Sequence, residues 1–180
     1  TMIKSTKPVI AIGATRTGCG KSQTSRRVIE ILVGMGLKPV AVRHPMPYGD
    51  LVKQKVQRFA TVADLKKHKC TIDEMEEYEP HVVTKRNVIY AGVDYEAILR
   101  QAEKDPDGCD VIIWDGGNND FPFYQPDLTI GVVDPLRPNA QVSYYPGEVM
   151  ARISDVICIN KIDSATLEDI NTVRRNIAKI

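Results

Sequence analysis

Val9-Ile10-Ala11-Ile12-Gly13-Ala14-Thr15-Arg16-Thr17-Gly18-Cys19-Gly20-Lys21-Ser22 is the stretch whose reading decides the fold. An apolar run of strand length leads into a glycine-rich turn, then Lys-Ser, then a helical pattern. That order cradles the β- and γ-phosphates of a nucleoside triphosphate. Glycines let backbone N–H groups converge on an anion because no Cβ blocks the approach. Lys21 is placed to bring its ammonium to the phosphate oxygens, and the Ser22 hydroxyl to take a position on Mg²⁺. The spacing departs from the usual one: the first glycine is expected at residue 15, where Thr15 stands, and Gly13 lies earlier. Thr15, Arg16, Thr17, Gly18, Cys19, Gly20, Lys21, Ser22 and Gln23 are the expected nucleotide-binding residues, with Arg16 and Lys21 also stabilising the transferred phosphoryl group.

Composition sets the bounds. The 180 residues suffice for one α/β domain, and 43% hydrophobic with 26% charged residues is ordinary for a globular protein. Lys and Arg number 24 against 23 Asp and Glu, so no basic excess points to nucleic acid or a membrane surface as partner. No apolar run approaches the ~20 residues of a membrane-spanning helix, and no signal-peptide pattern opens the chain. Cys19, Cys70, Cys109 and Cys158 form neither a Cys-x-x-Cys pair nor a disulfide framework, which fits a reducing cytoplasm. Assembly as a homo-oligomer is left open.

Short apolar runs at Val9–Ile12, Pro39–Val42, Val88–Ala91, Val111–Trp114, Leu128–Val133 and Val156–Ile159 read as strands buried on both faces. Helical patterns alternate with most of them: Ser22–Val33, Thr61–Lys69, a start at Thr71-Ile72-Asp73-Glu74, Asp94–Lys104 and Ser164–Ile180. Thr61 with Asp64, and Thr71 with Glu74, have capping-box spacing. Alternation of this kind predicts a three-layer αβα fold with a mainly parallel sheet, and places function at the carboxyl ends of the strands. Residues 1–180 read as a single nucleotide-binding domain, expected to be a piece of a longer protein.

Three further segments join the loop at those ends. In Val111-Ile112-Ile113-Trp114-Asp115-Gly116-Gly117, a buried strand delivers Asp115 to the Mg²⁺ shell, and the two glycines provide amides able to sense a γ-phosphate. Asn160-Lys161-Ile162-Asp163 follows an apolar strand in the pattern that reads guanine. Asp163 would accept from N1–H and the exocyclic amine, donors that adenine does not present there. The Lys161 stem can cover the base, and Asn160 can tie this loop to the phosphate loop. In Arg43-His44-Pro45-Met46-Pro47-Tyr48-Gly49-Asp50, Arg43 and His44 face the phosphate end, and Asp50 is a further candidate for Mg²⁺ or for orienting a nucleophile. Asn118, Asn119, Asp120 and Arg137 stand on neighbouring loops as candidate substrate residues. The acidic run Asp73-Glu74-Met75-Glu76-Glu77-Tyr78-Glu79 reads as a solvated helix face outside the site. His68 and His81 receive no role.

Over nearly its whole length the chain resembles the cyclic 2,3-diphosphoglycerate synthetases. The resemblance rests on Arg16–Arg26, on Arg43–Leu51, on Gln57-Arg58-Phe59-Ala60, on Glu76–Pro80, on Ala91–Leu99 and on Trp114–Asp120. The shifted first glycine, with Arg16 five positions before Lys21, is similar to the loops of dethiobiotin synthetase relatives and metallochaperone GTPases. The resemblance implies a P-loop domain in a longer protein, and an ATP-dependent ligation. A phosphate of an anionic substrate, 2,3-diphosphoglycerate, would be activated by the γ-phosphoryl group and then displaced by its neighbour. Asn160–Asp163 points instead to GTP. Two alternatives stand beside the synthetase: a GTPase of the metallochaperone-like class, and a nucleotide-binding fragment without chemistry of its own.

Overall fold

The computed structural model describes residues 2–180 except 45, 47, 48, 86, 118 and 119, with only the main chain of Lys85. Seven strands form one sheet: β1 (Val9–Ala14), β2 (Pro39–Arg43), β3 (Gln57–Phe59), β4 (Ile89–Ala91), β5 (Val111–Asp115), β6 (Leu128–Val133) and β7 (Val156–Ile159). Their spatial order is β3-β4-β2-β5-β1-β6-β7, and every pairing is parallel except β3 with β4. The six parallel strands are the six apolar runs of the sequence. The reversed β3 was not expected. Its Gln57-Arg58-Phe59 is too short and too polar to stand out by periodicity.

Helices α1 (Lys21–Gly34), α2 (Val62–Lys67), α3 (Ile72–Glu79), α4 (Tyr95–Ala102), α5 (Ala140–Ser143), α6 (Tyr145–Ile153) and α7 (Leu167–Ile177) cover the sheet. Strand periodicity divides the core in two. On one face Ile12, Ala41, Ile89 and Ile113 pack with Ile29 and Leu32 of α1, Leu65 of α2 and Tyr78 of α3. On the other, Val9, Ala11, Val42, Ile112 and Trp114 pack with Ile98, Leu99 and Ala102 of α4. Alternate residues of each strand serve opposite layers, so the strands must be apolar throughout. Both capping boxes form. The Thr61 amide donates to Asp64 at 2.8 Å and the Thr71 amide to Glu74 at 2.8 Å. A π-helical turn, Pro80–Lys85, continues α3, and α5 and α6 fill the crossover from β6 to β7; none of these was legible in the sequence.

Register brings the functional ends into one row. Gln57 pairs with Ala91, Ala91 with Arg43, Arg43 with Asp115, and Asp115 with Ile12 just before the glycine-rich loop. Gly92 lets the segment before β3 dock onto that edge. It has φ +148°, and a Cβ there would lie 2.5 Å from the Lys55 carbonyl oxygen. Arg58 then anchors β3. Its Nε and Nη2 donate to Asp105 at 2.7 and 2.9 Å, and Tyr90 donates to the same carboxylate at 2.7 Å.

Burial pushes the Asp105 carboxyl up, but the Arg58 and Tyr90 hydrogen bonds outweigh it and hold the group below the usual carboxylate range. Its folded affinity for protons is below its unfolded one. The stability it contributes is therefore full above the unfolded value of about 3.9 and is lost as pH falls through the lower folded value. Asp105→Asn should flatten the acid limb of stability below about pH 4, read by urea denaturation at a series of pH values.

Candidate functional site

The glycine-rich turn forms the expected cup. Gly18 and Gly20 take φ of +84° and +97°, a region closed to most side chains. Gly20 is the N-cap of α1 and no side chain caps that helix, so the amides of its first turn keep their donors for an incoming anion. Arg16 and Thr17 are exposed at the rim of the turn, as is Gly18, while Gln23 is exposed on α1. Thr15 and Cys19 face inward instead. Thr15 is fully buried, and its hydroxyl lies 3.4 Å from the Val132 carbonyl and 3.9 Å from the Cys19 sulfur. Burial pushes the Cys19 thiol up, so it serves packing better than nucleophilic chemistry.

Lys21 and Asp115 form a buried ion pair at the floor of the cup. Ser25, one turn along α1, lies 2.9 Å from the same carboxylate oxygen, and Arg43 Nη1 donates to the other oxygen at 3.1 Å. Burial pushes the Asp115 carboxyl up, but Lys21 and Arg43 override it and hold the group well below the usual range. Burial also lowers the Lys21 ammonium, and Asp115 works against that. The Ser22 hydroxyl has no hydrogen bond among the described residues, and its carbonyl accepts from Arg26 at 3.0 Å. A strand-end carboxylate, uncapped amides and an unpartnered hydroxyl on the first turn of α1 are donors of the kind that fits a magnesium–triphosphate complex.

Two sequence readings change here. The acidic run is only in part a solvated face: Asp73, Glu76 and Glu79 are exposed, but Glu74 is 3% exposed and Glu77 accepts from Arg43 Nη2 at 2.7 Å. Arg43 is thus clamped between Asp115 and Glu77 and lies inside the site. His81, left without a role, is buried on the π-helical turn with its Nε2 3.9 Å from Asp115 and its Nδ1 3.3 Å from Asn87. Five of the seven residues in the run are acidic, so charge alone does not tell the inward-facing pair from the rest. Nothing in the sequence signals the second.

The Asn160–Asp163 segment closes on the cup. Asn160 Nδ2 donates to the Cys19 carbonyl at 2.8 Å, and Lys161 Nζ donates to the Gly18 carbonyl at 2.6 Å and to Asp134 at 2.8 Å. Lys161 holds φ +53°, a left-handed turn that aims its stem along the loop. Asp163 is exposed beside it. His44 stands at the mouth: its Nδ1 is buried without a hydrogen-bond partner, and burial followed by Arg43 lowers its basicity. Asp120 accepts from the Gly117 amide at 3.0 Å. Arg137 is exposed on the loop after β6. Asp50 is not brought to the cup among the described residues; it accepts from the Val52 and Lys53 amides of its own turn. Asn118 and Asn119 lie outside the described residues.

No family model matches the chain. It is 62% identical over all 180 residues to the arginine synthetase ArcE of Thermococcus kodakarensis, and spans 39% of that protein's length. Among solved structures it resembles LpxK from Aquifex aeolicus in complex with ATP. That match has a TM-score of 0.65 and 16% identity, covering 93% of this chain and 53% of the other. It also resembles a ParA family ATPase from Chlorobium tepidum, with a TM-score of 0.52 and 13% identity, covering 96% and 81%. The fold is that of the P-loop NTPases, three layers with a mostly parallel sheet. No helix among the described residues is long and apolar enough to cross a membrane.

The tie between the two loops is testable through its glycine. A Cβ on Gly20 would fall 2.1 Å from Asn160 Nδ2, whereas one on Gly18 meets nothing within 4 Å. Both carry the strain of positive φ, about 1–2 kcal/mol. Gly20→Ala should therefore destabilise more than Gly18→Ala in urea denaturation, and adding Asn160→Ala should narrow the gap.

Proposed function

We propose that residues 1–180 form the nucleotide-binding domain of a longer, magnesium-dependent synthetase that activates a small substrate by phosphoryl transfer. The reading rests on one observation: an uncapped helix N-terminus whose Lys21 is stored on Asp115, with Arg43 on the opposite carboxylate oxygen.

The parts have distinct tasks. Amides of residues 17–22 cradle the β- and γ-phosphates. Arg16, exposed at the rim, is positioned to meet charge on the transferred group. Lys21 is placed to exchange part of its contact with Asp115 for phosphate oxygens, because the ion pair lies at the floor of the same cup. Ser22 and Asp115 would hold Mg²⁺, which would supply charge neutralisation to the phosphates. Arg43 and His44, with Asp120 and Arg137, face the acceptor, whose negative or electron-rich oxygen takes the phosphoryl group before a nucleophile displaces it. Asp50 would join only if its turn approached the cup.

Substrate identity follows from likeness. The 62% identical relative is named for making arginine, which supports an acceptor that becomes an amino-acid product. The resemblance to cyclic 2,3-diphosphoglycerate synthetases supports a bisphosphate acceptor. Both require the same step, activation of an oxygen by the γ-phosphoryl group followed by its displacement. Lys21→Ala should lower nucleotide-dependent turnover by about 10²-fold or more while circular dichroism keeps the native spectrum. Unchanged turnover would remove the P-loop from the chemistry.

Nucleotide choice has a second reading, GTP in place of ATP. The Asn160 and Lys161 contacts with the glycine-rich loop favour it, since Asp163 follows them closely along the same segment. Asp163→Asn should then shift preference from guanine toward xanthine nucleotides by about tenfold or more, measured by competitive binding. No shift would leave ATP as the substrate.

A further inference from the structure

A cavity of about 520 Å³ opens between the segment preceding β3, the C-terminal end of α2 and the N-terminal end of α3. Its size falls within the ~300–1,000 Å³ of small-molecule sites. Gln57 lines it, and Gln57 belongs to the strand-end row that continues through Ala91 and Arg43 to Asp115. At ~4.8 Å per strand, its main chain lies about 14 Å from that of Asp115.

The lining carries charges of both signs. Glu74 is buried, accepts from the Thr71 amide at 2.8 Å and from Gln54 Nε2 at 3.3 Å, and has no cation partner among the described residues. Gln54 Oε1 beside it is buried with no donor. Flipping that amide would set its oxygen against the Glu74 carboxylate, so the orphan acceptor is inherent to the pair. A buried carboxylate and a buried carbonyl oxygen with unused lone pairs call for N–H donors. Lys67 and Lys69 also line the cavity, with no ion pair among the described residues; Lys53, on the lining too, is paired with Asp50 at 3.4 Å. One turn along α3 from Glu74, Glu77 holds Arg43, and Arg43 holds Asp115.

We propose that this cavity binds the non-nucleotide reactant, and that the reactant is a zwitterion of amino-acid size. Its carboxylate sits toward Lys67 and Lys69, and an N–H-rich side chain points to Glu74 and Gln54. The assignment of a reactant's role rests on the nucleotide-site reading; the occupancy of the cavity does not. A bisphosphate fits poorly, because its charge would meet the unpaired Glu74 carboxylate.

The test is calorimetric titration of the chain with L-arginine as the probe, with ATP titrated separately. Glu74→Gln keeps the capping box, in which glutamine serves equally, and should weaken arginine binding about tenfold or more. Lys67→Ala, at an exposed lysine, should weaken it about two- to fivefold. ATP affinity should stay within about twofold in both. The proposal is overturned if arginine does not bind, if neither variant alters its binding, or if 2,3-diphosphoglycerate binds more tightly and loses affinity in Lys67→Ala but not in Glu74→Gln. Failure of ATP to bind the unaltered chain would count against the P-loop reading alone, and the arginine titration would still decide the cavity.

Discussion

The buried pair of Lys21 and Asp115 is the constraint on which the rest of the arrangement depends. Each group is nearly inaccessible, and each would be costly alone in that setting. Together, and with Ser25 and Arg43 also on the carboxylate, they form the floor under a cup of amide donors. The pair also fixes geometry across the sheet. α1 must start where Lys21 can reach β5, β2 must end level with Asp115 so that Arg43 can bind it, and α3 must follow so that Glu77 can hold Arg43.

That chain of contacts explains which features could be read from residues. The loop, the Asp115 strand and the Asn160 segment were legible because each combines an apolar strand with a short polar signature at its end. Both capping boxes were legible because their signal is local. The six parallel strands stood out because strands buried on both faces must be apolar throughout. What escaped was non-local. Arg43 looked like one more cation facing phosphate, yet two carboxylates from separate elements hold it. The acidic run looked solvated, yet Glu74 and Glu77 face inward because α3 lies over the carboxyl edge of the sheet. His81 gained its place from a π-helical turn, which no composition announces. β3, only three residues long, is defined by its partner β4 and by Arg58 gripping Asp105, contacts that join residues 47 apart.

Charge across the site is arranged as alternation. Lys21, Asp115, Arg43 and Glu77 follow one another from the cup toward the neighbouring cavity, so no two like charges touch. A polyphosphate arriving at Lys21 adds negative charge at one end of this series. Arg43, shared between Asp115 and Glu77, is the member able to redistribute its contacts in response.

The interlock of Asn160 and Lys161 with the carbonyls of Cys19 and Gly18 has a kinetic meaning. Loops that hold a ligand's two ends usually lose freedom when the ligand arrives, and that loss subtracts from affinity. In this protein the two loops are fastened to each other by hydrogen bonds of their own. Their ordering occurs once, while the chain folds. Encounter with a nucleotide is then closer to docking on a rigid surface than to wrapping, and differences between competing bases should be expressed in how slowly each departs rather than in how fast each is captured.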